Sequence, residues 1–227
     1  MTLTRADLES QRLQQLIAQS GLPFHVLSEA ELQASIAQVL QQRPPETEVW
    51  IFAYGSLIWN PIFQFCQSHT GTIYGYHRRF CLWTPLGRGT PENPGLVLGL
   101  DRGGSCHGVA YQIAAHDVDA ELLLLWRREM VVGSYVPRWV KVFQENRWVE
   151  AIAFTINPQS QSYTGKIPLD TIAHHIATAE GKLGSCFDYF DQTIAGLTKL
   201  GLADRSLLKL QRRVEEIRGE WGVGSRE

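Results

Sequence analysis

The tightest constraint on the fold is the bunching of strand-forming sequence between residues 49 and 154. Six runs rich in aromatic, β-branched and other apolar residues lie there, at residues 49–54, 72–79, 96–100, 108–113, 136–143 and 149–154. Such runs suit a buried or half-buried pleated surface. Turn-forming residues separate them, as at Asp101-Arg102-Gly103-Gly104, which predicts a chain reversal. One helical pattern interrupts the strands at residues 117–128, and three follow at 171–180, 186–200 and 206–218. Strands that come as a group, rather than alternating with helices, predict an α+β fold built on a curled mixed sheet, not a doubly wound one.

Two helices are expected before the strands. Thr4 with Asp7 and Ser28 with Glu31 have the spacing of capping boxes, the first with Asp in place of Glu. Leu32, Ile36, Val39 and Leu40 after the second box form the stripe of a core-facing helix. Gly21-Leu22-Pro23 separates the two helices and Pro44-Pro45 ends the second. This segment carries no chemistry and reads as a helical extension packed on a larger domain.

Composition excludes several classes. Hydrophobic residues are 44% of the 227 and charged ones 19%, enough for a packed core. With 21 Lys+Arg against 23 Asp+Glu, the net charge of -2 gives no electrostatic case for a nucleic-acid partner. No apolar run approaches the roughly 20 residues of a membrane helix, and the polar N-terminus has no secretory pattern. Cys66, Cys81, Cys106 and Cys186 form no CxxC pair, so a zinc site has no support and a reduced, cytoplasmic protein is expected.

Three places carry potential chemistry. In the helix containing AELLLLWRRE, Glu129 falls on the apolar stripe of Leu122, Leu125 and Trp126. Burial there, at a helix C-terminus, would raise its pKa toward what a general base needs. Arg127 and Arg128 fall on other faces and are not its expected partners. On periodicity alone, a helix-end carboxylate turned to solvent or paired with a basic residue stands somewhat ahead of a catalytic one. The second place is FAYGSLIWNP at residues 52–61, a strand running into a tight Gly55-Ser56 turn. Its backbone N–H groups could receive a carboxylate or an oxyanion, or it could be an ordinary turn. Ser56 lacks a GxSxG elbow and is a poor nucleophile candidate. The third is GRGTPENPG at residues 87–95, a shaped loop in which Arg88 either meets a substrate carboxylate or is simply solvated. His174 and His175 are adjacent, and Cys106 and His107 alternate across a strand, so neither couple is a plausible site.

Taken in order, these segments resemble the ChaC-type, glutathione-specific gamma-glutamylcyclotransferases. FAYGSLIWNP, GYHRRFCLW, GRGTPENPG, GVAYQI, LWRREM, IATAEGKLGS and LGLADRSLLKL carry the resemblance over about residues 48–215. It implies a gamma-glutamylcyclotransferase-like sheet or barrel with surrounding helices, the N-terminal helices being the extension of the longer bacterial members. The implied organisation is an extension at 1–47, a catalytic domain at 48–218 and a tail at 219–227. The implied reaction is a cyclisation of the gamma-glutamyl group of glutathione that releases 5-oxoproline and Cys-Gly, with no cofactor and no metal. By position, Glu129 matches the catalytic glutamate. Tyr54, Gly55, Ser56 and Leu57 match the loop holding the gamma-glutamyl group, and Tyr135 matches a site tyrosine. Cys186-Phe187-Asp188-Tyr189 departs from the pattern of many relatives, so the resemblance assigns no role to Cys186 or Tyr189. Other gamma-glutamyl peptides or amines as substrates, or a non-catalytic binding protein on the same scaffold, remain alternatives. Nothing here speaks to oligomeric state.

Overall fold

Strand β1 (Val49–Ala53) is buried along its whole length, which explains why its sequence is an uninterrupted apolar run rather than an alternating one. With β2 (Gln67–Thr84), β3 (Gly95–Ile113), β4 (Tyr135–Gln144) and β5 (Arg147–Ile156) it forms a closed barrel in the order β1-β3-β2-β4-β5. β1 lies antiparallel to β3, with Val49 opposite Ile113 and Ala53 opposite Val109. It lies parallel to β5, with Ile51 opposite Ile152, so the sheet is mixed as expected. β4 and β5 make a long hairpin from the Tyr135–Ile156 pair to Gln144–Arg147, turned by Glu145 and Asn146, both at positive φ.

The computed structural model describes residues 3–41, 43–44 and 46–224, with side chains to residue 219. They divide into two units, one of Leu3–Arg78 and Leu100–Ser160, the other of Arg79–Gly99 and the chain from Gln161 onward. In the first, three helices precede the barrel: α1 (Arg5–Glu9), α2 (Arg12–Ala18) and α3 (Glu29–Leu40). The single helix expected at the start is broken, because Gln11 takes a left-handed conformation at φ 54 and ψ 27. Both capping boxes form. Hydrogen bonds from Thr4 and Ser28 to the Asp7 and Glu31 carboxylates hold their pKa values down at about 2. Pro45 of the expected helix stop lies outside the described residues. After β1 comes a single turn of helix, α4 (Ser56–Trp59). Later, α5 (Val118–Glu129) follows a short 3-10 turn.

The core of this unit sits between α3, α5 and one face of the sheet. Leu32 and Ile36 from α3 meet Ile51, Val109, Ile113, Ile152 and Phe154 from the strands, and Leu122, Leu125 and Trp126 from α5. The Trp126 ring packs edge-on against Phe154 at 5.1 Å, and its Nε1 donates to Ser35 Oγ at 3.0 Å. The helices are also tied by charge. Glu121, with 3% of its side chain exposed, receives two hydrogen bonds from Arg5, at 2.8 and 2.9 Å, and one from the Gln64 N–H at 3.0 Å. Arg127 forks onto Glu29 at 2.5 and 3.2 Å.

The expected reversal at Asp101-Arg102-Gly103-Gly104 does not occur. These residues lie inside β3, where Gly103 and Gly104 at φ 99 and 70 bend the strand instead of ending it. The His77 ring on β2 approaches the Gly103 carbonyl at 3.0 Å. Two expected strands are therefore one.

The second unit carries the far ends of β2 and β3, helices α6 (Leu169–Thr178), α7 (Cys186–Lys199) and α8 (Arg205–Gly224), and a small hairpin of β6 (Glu180–Gly181) and β7 (Gly184–Ser185). Phe80 anchors it against Tyr189 and Phe190, at 6.0 and 5.6 Å between ring centres. α8 runs past the expected end at Arg218 to Gly224. Residues 225–227 of the expected tail lie outside the described residues.

Candidate active site

The loop after β1 is built to hold still. Tyr54 is buried, and its hydroxyl donates to the Phe154 carbonyl on β5 at 2.8 Å. Its own carbonyl accepts from Arg78 Nη1 at 2.7 Å. Gly55 caps α4, and Leu57, 6% exposed, drops into the core cluster that also holds Trp126 and Met130. The Ile58 N–H closes on the Gly55 carbonyl at 2.9 Å, and the Asn60 N–H on the Ser56 carbonyl at 2.8 Å. The expected tight turn is thus a turn of helix, whose earliest N–H groups have no partner within the helix.

Glu129 is the last residue of α5, on the stripe of fully buried Leu122, Leu125 and Trp126. Its side chain is 12% exposed. Burial pushes the carboxyl above its ordinary pKa, and the Arg128 cation pulls partly the other way. Oε1 is buried and, among the described residues, receives no hydrogen bond. Arg128 Nε lies 3.1 Å from it, within ion-pair distance but out of line for a hydrogen bond. A buried carboxylate oxygen lacking a donor is costly, which leaves Glu129 poised to take a proton.

Arg128 corrects the sequence reading, which placed it on another face and did not expect it as the partner of Glu129; a pairing with a basic residue, left open there, does occur. Arg127 does turn away, to Glu29. Arg128 instead folds back along the helix. Its Nη2 donates to Ser56 Oγ and its Nη1 to the Asn60 carbonyl, both at 2.7 Å. One side chain therefore brings the Ser56 loop and Glu129 together.

Tyr135 opens β4, opposite Ile156, and packs against the same core cluster. The turn before it is held by Asn157. Its Nδ2 donates to the Gly133 carbonyl at 2.9 Å, and its N–H to the Ser134 carbonyl at 3.0 Å.

Comparison with known proteins fits this arrangement. The family model for ChaC-like protein matches residues 49–217. The chain belongs to the ChaC-like family. It is 43% identical over 188 residues to the glutathione-specific gamma-glutamylcyclotransferase of Escherichia coli (strain K12), covering 82% of this chain and 81% of that one. It is 36% identical over 146 residues to glutathione-specific gamma-glutamylcyclotransferase 1 of Mus musculus, covering 62% of this chain and 66% of that one. The fold is similar to the crystal structure of a yeast gamma-glutamyl cyclotransferase specific to glutathione, with a TM-score of 0.71 and 21% identity over 76% of this chain and 97% of that chain.

The ChaC-like chain places Arg88, Cys186 and Tyr189 in the second unit. Arg88 is buried, not solvated, with its guanidinium 5.8 Å from the centre of the Tyr189 ring. The Cys186 thiol is fully buried. It accepts from the Leu96 N–H at 3.2 Å and donates to the Leu96 carbonyl at 3.1 Å. Burial pushes its pKa up to about 12. The Tyr189 hydroxyl accepts from the Leu98 N–H at 3.3 Å. Glycines 87, 89 and 181 are explained by close approach: a Cβ on Gly181 would collide with Gly89 and Gly87 backbone.

A cleft of about 310 Å³ lies beside Tyr76, Leu100, Arg102, Arg138, Thr155 and Asn157. Ile156, the cross-strand partner of Tyr135, also lines it, whereas Glu129 does not. Among the described residues no group of three or more His, Cys, Asp or Glu side chains is placed to hold a metal, and no helix is long and apolar enough to cross a membrane.

Proposed function

We propose that this chain cyclises the gamma-glutamyl group of glutathione, releasing 5-oxoproline and Cys-Gly, with Glu129 as the proton carrier. The observation that carries this reading is the buried Glu129 Oε1, which among the described residues receives no hydrogen bond and sits beside Arg128, the residue that grips the Ser56 loop. It stands in a chain 43% identical to an enzyme named for that reaction.

In glutathione the attacking α-amine and the γ-carbonyl belong to one molecule. The protein's main task is therefore to hold a folded substrate in attack geometry. The α-ammonium gives a proton to the Glu129 carboxylate, and the freed amine attacks the γ-carbonyl carbon. As the bond to the cysteinyl nitrogen breaks, the carboxyl returns a proton to that nitrogen. Over the whole reaction two protons leave the attacking nitrogen and two arrive at the departing one, so Glu129 ends ionised as it began. In this reading the loop of Tyr54, Gly55, Ser56 and Leu57 receives the gamma-glutamyl group, its first-turn N–H groups facing an anionic oxygen. Tyr54 and Leu57 serve as anchors of that loop, and Tyr135 as a neighbouring wall. Residues 48–218 act as the catalytic domain. A cytoplasmic location is supported by four cysteines without disulfides.

A second reading has one observation in its favour. A relative from Arabidopsis thaliana, 32% identical over 183 residues, is named gamma-glutamylcyclotransferase 2-3 without mention of glutathione. Incubating the purified protein with glutathione, and separately with gamma-glutamyl-alanine, then measuring 5-oxoproline by mass spectrometry, decides between them. Equal rates on the two substrates would remove the glutathione specificity. No 5-oxoproline from either would sink the enzyme reading.

A further inference from the structure

We infer that Arg128 is a positioning residue that docks the Ser56–Asn60 segment onto the end of α5 and sets a cation beside the Glu129 carboxyl. The inference rests on the cyclotransferase reading and adds a residue to it. Three contacts from one guanidinium carry it. Two terminal nitrogens hold the loop, at Ser56 Oγ and the Asn60 carbonyl, each at 2.7 Å. The third nitrogen, Nε, lies 3.1 Å from Glu129 Oε1 without donating to it.

The geometry separates two jobs. A planar guanidinium with two donors on the loop fixes distance and direction together, which an ammonium cannot do. The same cation stands beside Glu129 and favours its charged form, yet leaves Oε1 open to the substrate's ammonium. The Arg128 side chain is only 9% exposed, so solvent screens this charge weakly.

Among the described residues, the other charged groups on the packed helices are engaged elsewhere. On α5 itself, Arg127 is committed to Glu29 of α3, and Glu121 lies two turns away, held by Arg5 of α1. Arg12 of α2 pairs with Asp7. On the strand side, the Tyr54 hydroxyl donates to the Phe154 carbonyl, and Arg78 of β2 donates to the Tyr54 carbonyl. Burial opposes ionisation of Glu129, and the Arg128 charge offsets it in part.

The test uses Arg128→Gln and Arg128→Lys in the full chain. Arg128→Gln is expected to lose about a hundredfold in kcat/KM, the size of effect that a misplacement of about 1 Å produces. The acid limb of its pH profile should also move to higher pH. Arg128→Lys keeps a cation, so its acid limb should stay near wild type while KM rises from a loosened loop. A direct readout needs no turnover: the Glu129 carboxyl carbon, labelled with ¹³C and identified by its absence in Glu129→Gln, is titrated by NMR in the wild type and both variants. An upward shift in Arg128→Gln that Arg128→Lys restores supports the inference even if the wild type makes no 5-oxoproline, a result that would strike only the cyclotransferase reading. If the Gln variant does not fold, a Lys variant with wild-type Glu129 titration and raised KM supports it. An unmoved Glu129 titration in a folded Arg128→Gln, or a Lys variant with the same KM as wild type, overturns it.

Discussion

Glu129 was legible in the sequence because a helix projects its Cβ atoms at fixed angles, and one carboxylate among Leu122, Leu125 and Trp126 stands out on such a stripe. Arg128 was not legible for the same reason. Helical periodicity says where a side chain leaves the backbone, not where a long flexible one ends, and Arg128 ends back over Ser56. Burial of Glu129 makes a prediction independent of activity. Its pKa in the folded chain is raised, so between the ordinary carboxylate value of 4.5 and the raised one the folded state keeps a proton the unfolded state has lost. Stability conferred by that proton is full at low pH and is lost as pH rises through the window. Glu129→Gln does not titrate, so its melting temperature relative to wild type should climb as pH rises through the window. A difference flat with pH would mean the carboxyl is not perturbed. The same variant should lose ~10²–10⁴-fold in kcat if Glu129 is the base. The cysteines make a second case. With its thiol held up at about 12 and no exposure, Cys186 should resist iodoacetamide in the native protein at pH 8. Cys66, the exposed one, should be alkylated while Cys81 and Cys106 are protected. Peptide mapping reads this directly, and rapid labelling of Cys186 would reopen a thiol role.

At the scale of elements, the middle of each strand could be read from apolar and β-branched content, but its ends could not. β2 and β3 run through exposed stretches that the apolar runs left out, at Gln67 and Ser68 where β2 begins and at Arg102 to Ser105 in the middle of β3. The ladder of backbone hydrogen bonds, which carries no residue signature, continues through them. Gly103-Gly104 signalled a reversal and instead bends β3, since positive φ at two glycines serves either purpose. The single turn α4 follows from Leu57 finding a core site and Arg128 gripping Ser56, both tertiary effects. The GRGTPENPG loop looked like a candidate for substrate contact, but its glycines answer to packing. The Lys182 and Leu183 N–H groups bond to Leu86 and Gly87 carbonyls, bringing the β6–β7 hairpin against backbone at Gly89. A methyl group at position 181 has only backbone to displace. Gly181→Ala should therefore cost ~1–3 kcal/mol as overpacking, read by urea denaturation. A change below about 0.5 kcal/mol, within the range of ordinary surface substitutions, would mean the hairpin yields freely.

For the whole molecule, the open question is whether the first 47 residues are an accessory or part of the folding unit. Sequence patterns cast them as an extension, and the capping boxes at Thr4 and Ser28 form as read. The packing argues for more than that. Leu32 and Ile36 belong to the same cluster as Ile51, Trp126 and Phe154. Each such side chain contributes ~1.5–3 kcal/mol when buried, so the two together supply about 3–6 kcal/mol, against a typical total of ~5–15. Deleting the segment also takes Arg5 from Glu121 and Glu29 from Arg127. Glu121 would keep only the Gln64 N–H at a site with 3% exposure, and losing one partner of a buried pair is commonly worth ~3–5 kcal/mol. Arg5 is itself 35% exposed, so the actual cost falls below that range. The strain falls on α5, the helix that ends at Glu129. Removal of residues 1–47 is therefore expected to leave a chain that is insoluble or melts well below the full-length protein. Any cyclotransferase rate it retains should drop before global unfolding, as the end of α5 loosens. Differential scanning calorimetry of the two chains, with activity followed along the same temperature ramp, tests this. A truncated chain with the melting temperature and kcat of the parent would show that the segment only rests on the surface and that the core of α5 is complete without it.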